Sequence, residues 1–433
     1  MLINYVFQNY RSFKGRSQLD MKAGTQRTLD ENLIRAKGLR ILPSAVIYGA
    51  NASGKSNIIM SLALMREIVL LGSIEASSED LKNLEIYPFA HSPEQNPMLF
   101  ETEFINKGEQ FRYSFEVMAK LSGKSKRQIK SEQLWINSDK GMIRIFERDL
   151  KRVAINRDKK ILSRIKYSER LLGEFEEKIN KNLVPTKLFL TQSFETLISS
   201  EIADKVIDFF KNRLIVVSDF TLKKLNLIFS AVEMQGRDFL AWNEILDGFV
   251  KSSDFGPQKI MLKSQESDDE HSAAMQLVSI YKFGRRKLMM PADLMESRGT
   301  LKLVDFAIPF VDLFPEGGVF VLDEFDSSIH PELIKGIVAL FNDQTLNKNG
   351  AQLIFTTHNP IYLNNKMFRR DQIRFVEKDK DTFESTIYSL ADFGSADVRN
   401  DQNYLISYFK GKYGALPYID FSKLFINEAK EKI

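Results

Sequence analysis

A chain of 433 residues, 43% of them hydrophobic, has material for two or three domain-sized pieces with room for one inserted in another, yet no apolar run approaches bilayer length, so a soluble protein is expected. The absence of cysteine excludes disulfides, thiolate metal sites and a cysteine nucleophile and fits a reducing cytoplasm, and four histidines argue against a histidine-rich metal site. A net charge of +4 argues neither for nor against nucleic acid.

Leu2–Phe13 reads as a strand running into a turn and Gln18–Met21 as a weaker second strand, a predicted hairpin. Met1–Phe7 shows no basic segment leading into a long apolar core, so no secretory signal is expected. The apolar run Ile41–Tyr48 predicts a buried strand, followed by Gly49-Ala50-Asn51-Ala52-Ser53-Gly54-Lys55-Ser56 and a helix from Lys55 to about Leu71. Strand, glycine turn and helix, in that order, are the context in which GxxxxGK[ST] cradles phosphate on inward-facing amides and a helix N-terminus. Gly49 through Ser56, with Asn57, are therefore candidate ATP contacts; Lys55 is placed to reach the β- and γ-phosphates and Ser56 to offer its hydroxyl to Mg²⁺.

Ser73–Asp80 is polar and predicts a loop, after which Leu99–Phe104 with Phe111–Val117, and Gln133–Ile136 with Met142–Arg148, alternate with period two as antiparallel hairpins. Lys120–Lys166 carries fifteen Lys or Arg against five Asp or Glu, which makes it the electrostatic outlier and a candidate nucleic-acid surface, although such runs more often form solvated faces. Helical spacing predicts an arm over about Lys159–Asn182, a second helical region over Phe194–Asn212 and a third over about Leu222–Val250. Gln258–Leu262 and Val278–Phe283 then return to strands.

Gly318–Leu322 is an apolar run ending in Asp323 and Glu324, the pattern of a buried strand delivering carboxylates at its carboxyl edge. Asp323 is placed to hold the Mg²⁺ shell and Glu324 to polarise an attacking water. Gln352–Thr357 is a second such strand, ending in His358, whose imidazole can donate to a γ-phosphate or to that water. His330, before Pro331 at a predicted helix start, reads equally well as a turn-stabilising residue.

The set GANASGKS, VFVLDEFDSSIHP and IFTTHNP resembles the ATPase core of the ABC superfamily, in the branch that includes SMC proteins, double-strand-break-repair ATPases and the ATPase subunits of bacterial phage-defence operons, over roughly residues 1–60 and 290–375. The resemblance implies an α/β fold: an ABC-type P-loop ATPase head with mixed parallel and antiparallel sheet and an inserted helical arm. Its parts would be an N-terminal lobe over 1–155, a helical insertion over 156–255 and a C-terminal lobe over 256–433. It implies ATP and Mg²⁺ as ligands, Asp326 as the D-loop residue, His358 as the switch histidine, and Ser297 and Gly299 as a degenerate signature acting in trans across a homodimer or higher symmetric oligomer. Ser297 reads equally as an ordinary helix cap. The degenerate signature, Asn9–Phe13 and Gly411–Pro417 are most similar to defence-associated ATPases of abortive-infection, PARIS and Septu type, in whose relatives the Arg-Ser-Phe turn lies near the base, making Arg11 and Phe13 candidate ATP contacts.

That resemblance implies an ATP-driven switch controlling an effector protein, often a nuclease. The alternatives are a repair or chromosome ATPase binding DNA directly, and an ATPase fused to a nuclease; the latter is disfavoured because only 75 residues follow His358. A transporter subunit is disfavoured by the large insertion.

Overall fold

The structure, a computed structural model, describes residues 1–75, 86–91, 96–119, 127–139, 141–218, 240–241, 257–265, 274–394, 398 and 402–417. At its centre is a six-stranded sheet in the order β11 (Leu214–Val217), β16 (Val319–Leu322), β17 (Gln352–Thr357), β5 (Ser44–Gly49), β18 (Ile373–Lys378), β19 (Ser385–Ser389). All neighbours run parallel except β18 and β19. β5, β16 and β17 are buried over their whole length, which is why each reads as a nearly unbroken apolar run. Period two still sorts their side chains: Ala45, Ile47, Val319, Val321 and Ile354 enter one core, whereas Val46, Tyr48, Phe320, Leu322, Leu353 and Phe355 enter the other.

The first core is closed by α1 (Lys55–Leu71) and by a seven-stranded antiparallel sheet in the order β10 (Val153–Ile155), β9 (Gly141–Arg148), β8 (Gln128–Ser138), β7 (Glu109–Met118), β6 (Met98–Asn106), β1 (Leu2–Gln8), β2 (Ser17–Asp20). The hairpin expected at the N-terminus and the two read from alternation are all present in it. β3 (Ile34–Ala36) and β4 (Leu39–Ile41) pair as a short hairpin ahead of β5. The two large sheets are pinned together by Gln352, whose buried amide accepts from the Leu2 amide at 2.5 Å and donates to the carbonyls of Leu2 and Leu42 at 2.9 and 3.0 Å.

The segment expected to be an arm lies against this antiparallel lobe. α2 (Lys159–Ile165), α3 (Glu169–Lys181) and α4 (Ser200–Asp208) bury Ile161, Leu172, Ile202 and Val206 in the same core as the strands. Buried Glu132 fixes the connection: it accepts from the amides of Phe189 and Leu190 at 2.6 and 2.9 Å and from Tyr113 Oη at 2.8 Å. Leu214–Val217, which helical spacing does not reveal, is an edge strand of the central sheet. The third helical region expected over Leu222–Val250 lies outside the described residues apart from Leu240–Ala241, which are a strand.

Those two residues, β12 (Leu240–Ala241), begin a four-stranded sheet completed by β13 (Lys259–Gln265), β14 (Ala274–Phe283) and β15 (Arg286–Pro291). The chain then runs through α5 (Ala292–Met295) into α6 (Arg298–Leu313). Together with α7 (Pro331–Asn342) and α8 (Tyr404–Phe409), α6 closes the second core. Among the described residues no helix is long and apolar enough to cross a membrane.

Candidate functional site

β5 ends at Gly49 and the chain turns through Ala50–Gly54 before α1 begins. Two positions in that turn accept only glycine. A β carbon at Gly49 would stand 2.5 Å from the Val376 carbonyl and 2.6 Å from Ser53 Oγ; at Gly54, φ is +114° and a β carbon would stand 2.6 Å from Ser385 Oγ. The turn is buttressed from two distant segments. Ser385 Oγ donates to the Ser53 carbonyl at 2.6 Å and lies 2.8 Å from Ser12 Oγ, which accepts from Asn57 Nδ2 at 2.8 Å. α1 starts on Gly54 with no side-chain cap, so its first amides and its positive dipole end are available to an anion.

Lys55 is 4% exposed, and its Nζ donates to the carbonyls of Gly49 and Ala50 at 2.9 and 3.0 Å. Burial pulls its pKa down to about 8 against the opposing fields of Asp323 and Glu324. Amide donors, an ammonium and glycines that keep the loop open are the donor set a polyphosphate requires, so the residues present fit one.

The carboxyl ends of β5, β17 and β16 lie side by side because these strands are neighbours in the sheet, Thr357 opposite Tyr48 and Leu322 opposite Phe355. The loop, the histidine and the acids therefore share one edge. His358 Nδ1 is 3.3 Å from Lys55 Nζ and its Nε2 is 3.4 Å from Glu324 Oε1. Asp323 is buried and its Oδ1 accepts from Thr356 Oγ1 at 2.5 Å; the Glu324 amide donates to the same hydroxyl oxygen at 2.7 Å. Thr357 Oγ1 donates to Asp326 Oδ2 at 2.7 Å, and burial raises the Asp326 pKa against the pull of Thr357, Lys302 and His358. Two consecutive threonines on β17 thus orient the carboxylates of Asp323 and Asp326.

Sequence reasoning missed these threonines and also Lys302. From the second turn of α6, Lys302 Nζ donates to the Glu324 carbonyl at 2.5 Å and to Ser327 Oγ at 2.7 Å. Burial lowers its pKa to about 8, with Asp326, Glu324 and Asp323 opposing. The one available signal was a lysine on the apolar side of a predicted helix. Lys302→Met keeps the length of the side chain but leaves the acidic turn without its donor, at a cost of about 1–3 kcal/mol in stability. Turnover is expected to fall by about tenfold or more while nucleotide affinity holds. Parallel binding and turnover measurements check this, and equal turnover would make the contact irrelevant to the chemistry.

Other expected site residues are placed differently. Phe13 is fully buried, its ring 4.9 Å edge-on from Phe7 in the core, so it has no face to offer a nucleotide base. Arg11 does reach the loop's flank: its Nη1 is 3.4 Å from Asn57 Oδ1, and with Ser12, Asn57, Tyr87, His91 and Phe383 it lines a cleft of about 570 Å³. Ser297 caps α6, accepting from the Thr300 amide at 3.1 Å, and is exposed. A β carbon at Gly299 would stand 2.0 Å from the Ser328 carbonyl of the same chain. Gly299→Asp would therefore disrupt the seat of α6 on the acidic turn and cannot serve as a clean test of an interface. His330 caps α7, its Nδ1 accepting from the Glu332 amide at 3.3 Å.

Eight of the fifteen cations of the basic stretch are paired with carboxylates. Lys130, Arg144, Arg148, Arg152, Arg157, Lys160, Arg164 and Lys166 each stand within ion-pair distance of a carboxylate, namely Glu116, Glu147, Glu132, Asp149, Glu176, Asp139, Glu109 and Glu201. Lys120, Lys124, Lys126 and Lys140 lie outside the described residues.

The family model described as "AAA domain, putative AbiEii toxin, Type IV TA system" matches residues 44–364, a span that contains the loop, both acids and the histidine. No curated protein matches the chain in sequence. A crystal structure of the SmcHead bound to the C-winged helix domain of ScpA aligns with a TM-score of 0.39 at 14% identity, covering 90% of this chain and 97% of that chain, a likeness too distant to transfer residue roles.

Proposed function

We propose, from the premise that this chain belongs to the AAA-domain family matched over residues 44–364, that it is a Mg²⁺-dependent ATPase working as a switch. The observation that carries the reading is the contiguous set Lys55, His358 and Glu324, with Asp323 beside it, at the edge of three adjacent parallel strands. Lys55 and the first amides of α1 hold the β- and γ-phosphates. Ser56 and Asp323 supply oxygen ligands to Mg²⁺, which when bound offsets phosphate charge. The Glu324 carboxylate accepts a hydrogen bond from the attacking water, and His358, held between Glu324 and Lys55, orients that water or donates to the γ-phosphate. Arg11 and Asn57 flank the base side.

In this reading two chains associate through their heads in the cytoplasm, Ser297 and Gly299 of one completing the nucleotide site of the other, and ATP binding favours the associated form. The motifs shared with phage-defence ATPases, together with a family described by toxin and antitoxin terms, support an effector as the controlled partner, with a nuclease the favoured type. The test is turnover by the purified chain. Phosphate release from ATP is expected with Mg²⁺ and not with excess chelator, and the rate per chain should climb with protein concentration as composite sites form. Turnover unaffected by chelation would sink the metal assignment, and a rate per chain independent of concentration over the range in which monomers associate would sink the composite site.

A further inference from the structure

We propose that the tip of the β14–β15 hairpin, Lys282–Leu288, is a nucleic-acid-binding wing in which Lys282, Arg285, Arg286 and Lys287 contact phosphates and Phe283 packs on a base. The hairpin closes through Gly284 and Arg285 alone, with Phe283 opposite Arg286 and Lys282 opposite Lys287. Gly284 has φ +59° and Arg285 has no positive φ, the pattern of a tight primed turn that keeps the two strands paired to their ends. The tip is therefore a short, defined ribbon.

Its charges are arranged against its own stability. Four of the six residues from Lys282 to Lys287 are cationic and none is acidic, and the register sets Lys282 directly across from Lys287, a like-charge pair that disfavours the hairpin. All four are exposed and none has an ion-pair partner among the described residues. The contrast with the segment from Lys130 to Lys166, where cations meet carboxylates from neighbouring elements, is direct. A polyanion removes the repulsion by occupying all four cations together.

The apolar part of the tip favours nucleic acid over an acidic protein. Phe283 is 65% exposed, stacked 6.3 Å from Tyr281 on the same strand face and opposite Arg286. An aromatic ring beside guanidinium groups is a stacking platform for any base. A two-stranded ribbon is also narrow enough to enter a duplex major groove. The wing is rooted firmly, because Tyr281 Oη donates to Glu296 Oε1 at 2.7 Å.

The experiment uses the full chain and fluorescein-labelled DNA of about 30 nucleotides, single-stranded and as a duplex, long enough to span the site of an aromatic stacking platform, followed by polarisation at low salt. The wild type is expected to bind at least one of them, with the preferred form identifying which strandedness the wing serves. In K282E/R285E/R286E/K287E, affinity should fall by at least about tenfold and the slope of log affinity against log salt should flatten by about 3–4 units. F283A should weaken single-strand binding by roughly fivefold to a hundredfold. The exposed, paired cations tested by R152E/K160E should leave binding unchanged. Circular dichroism and retained ATP binding establish that the hairpin variants are folded. No binding by the wild type to either form, or wild-type affinity in the fourfold variant, overturns the proposal. Displacement of DNA by polyglutamate at equal charge concentration, combined with no effect of F283A, also overturns it and assigns the wing to an acidic protein.

Discussion

Glu324→Gln is expected to bind ATP with near-normal affinity and to turn it over roughly a hundred to ten thousand times more slowly, the range lost with a positioned acid or base. The carboxylate is about half exposed and its Oε1 stands 3.4 Å from His358 Nε2, a contact that an amide oxygen can reproduce. Stability should therefore stay within about 0.5 kcal/mol. What the amide cannot do is accept the proton of the attacking water. Asp323, with Thr356 still donating to it, and Lys55 remain in place, so the ATP-bound, associated form should accumulate. Nucleotide retention and phosphate release measured on the same preparation separate binding from chemistry. Rapid release by this variant would move the water-activating role elsewhere, with Asp326 the next acid to examine.

Lys55→Ala should fail earlier, at binding. Its ammonium lies between the carbonyls of Gly49 and Ala50 and 3.3 Å from His358, the place where phosphate charge would be met. Removing it is expected to cost roughly a hundredfold to a thousandfold in kcat/KM, the scale of one electrostatic contact to a developing phosphoryl charge. The fold should tolerate the change. Burial already penalises this ammonium, pulling its pKa down to about 8, which offsets part of the loss of its contacts to the Gly49 and Ala50 carbonyls, so the melting temperature should fall only modestly. The two variants therefore differ in kind: Glu324→Gln keeps its nucleotide, and Lys55→Ala does not. Equal turnover of Lys55→Ala and wild type at saturating ATP would remove the loop from the mechanism.

The phosphate loop was legible in the sequence because its chemistry is local: glycines, a lysine and a helix start occupy one short run of the chain, and each constraint acts on its neighbours. Asp323, Glu324 and His358 were legible for a related reason, since buried parallel strands advertise themselves as apolar runs and the residues just past their carboxyl ends sit at the sheet edge. Thr356 and Lys302 were not, because their roles exist only across the sheet or between a helix and a distant turn. Phe13 was misread because an aromatic in a turn looks the same whether it faces a ligand or Phe7. The surplus of cations between Lys120 and Lys166 is smaller in the fold than in the sequence for a similar reason. Glu109, Glu116, Glu176 and Glu201, which neutralise Arg164, Lys130, Arg157 and Lys166, lie outside the window in which the charges were counted. Leu214–Val217 was missed because its partner, β16, lies far along the chain at Val319–Leu322.

The position of β5 between β17 and β18 has a consequence for how the protein is made. Val46 pairs with Phe355 on one side and Ile373 on the other, so both edges of the strand that carries the phosphate loop wait for segments synthesised much later. At about 5–20 residues per second, a ribosome needs roughly 15–60 s to supply them. Through that interval an apolar strand with two open edges is emerging ahead of its partners, the condition under which chains pair wrongly with one another. The antiparallel lobe, whose strands β6 to β9 are neighbours in sequence, can assemble meanwhile and give α1 a surface to rest on. The proposed nucleotide site is in this sense the last part of the nascent chain to be completed, although its loop is among the first parts synthesised.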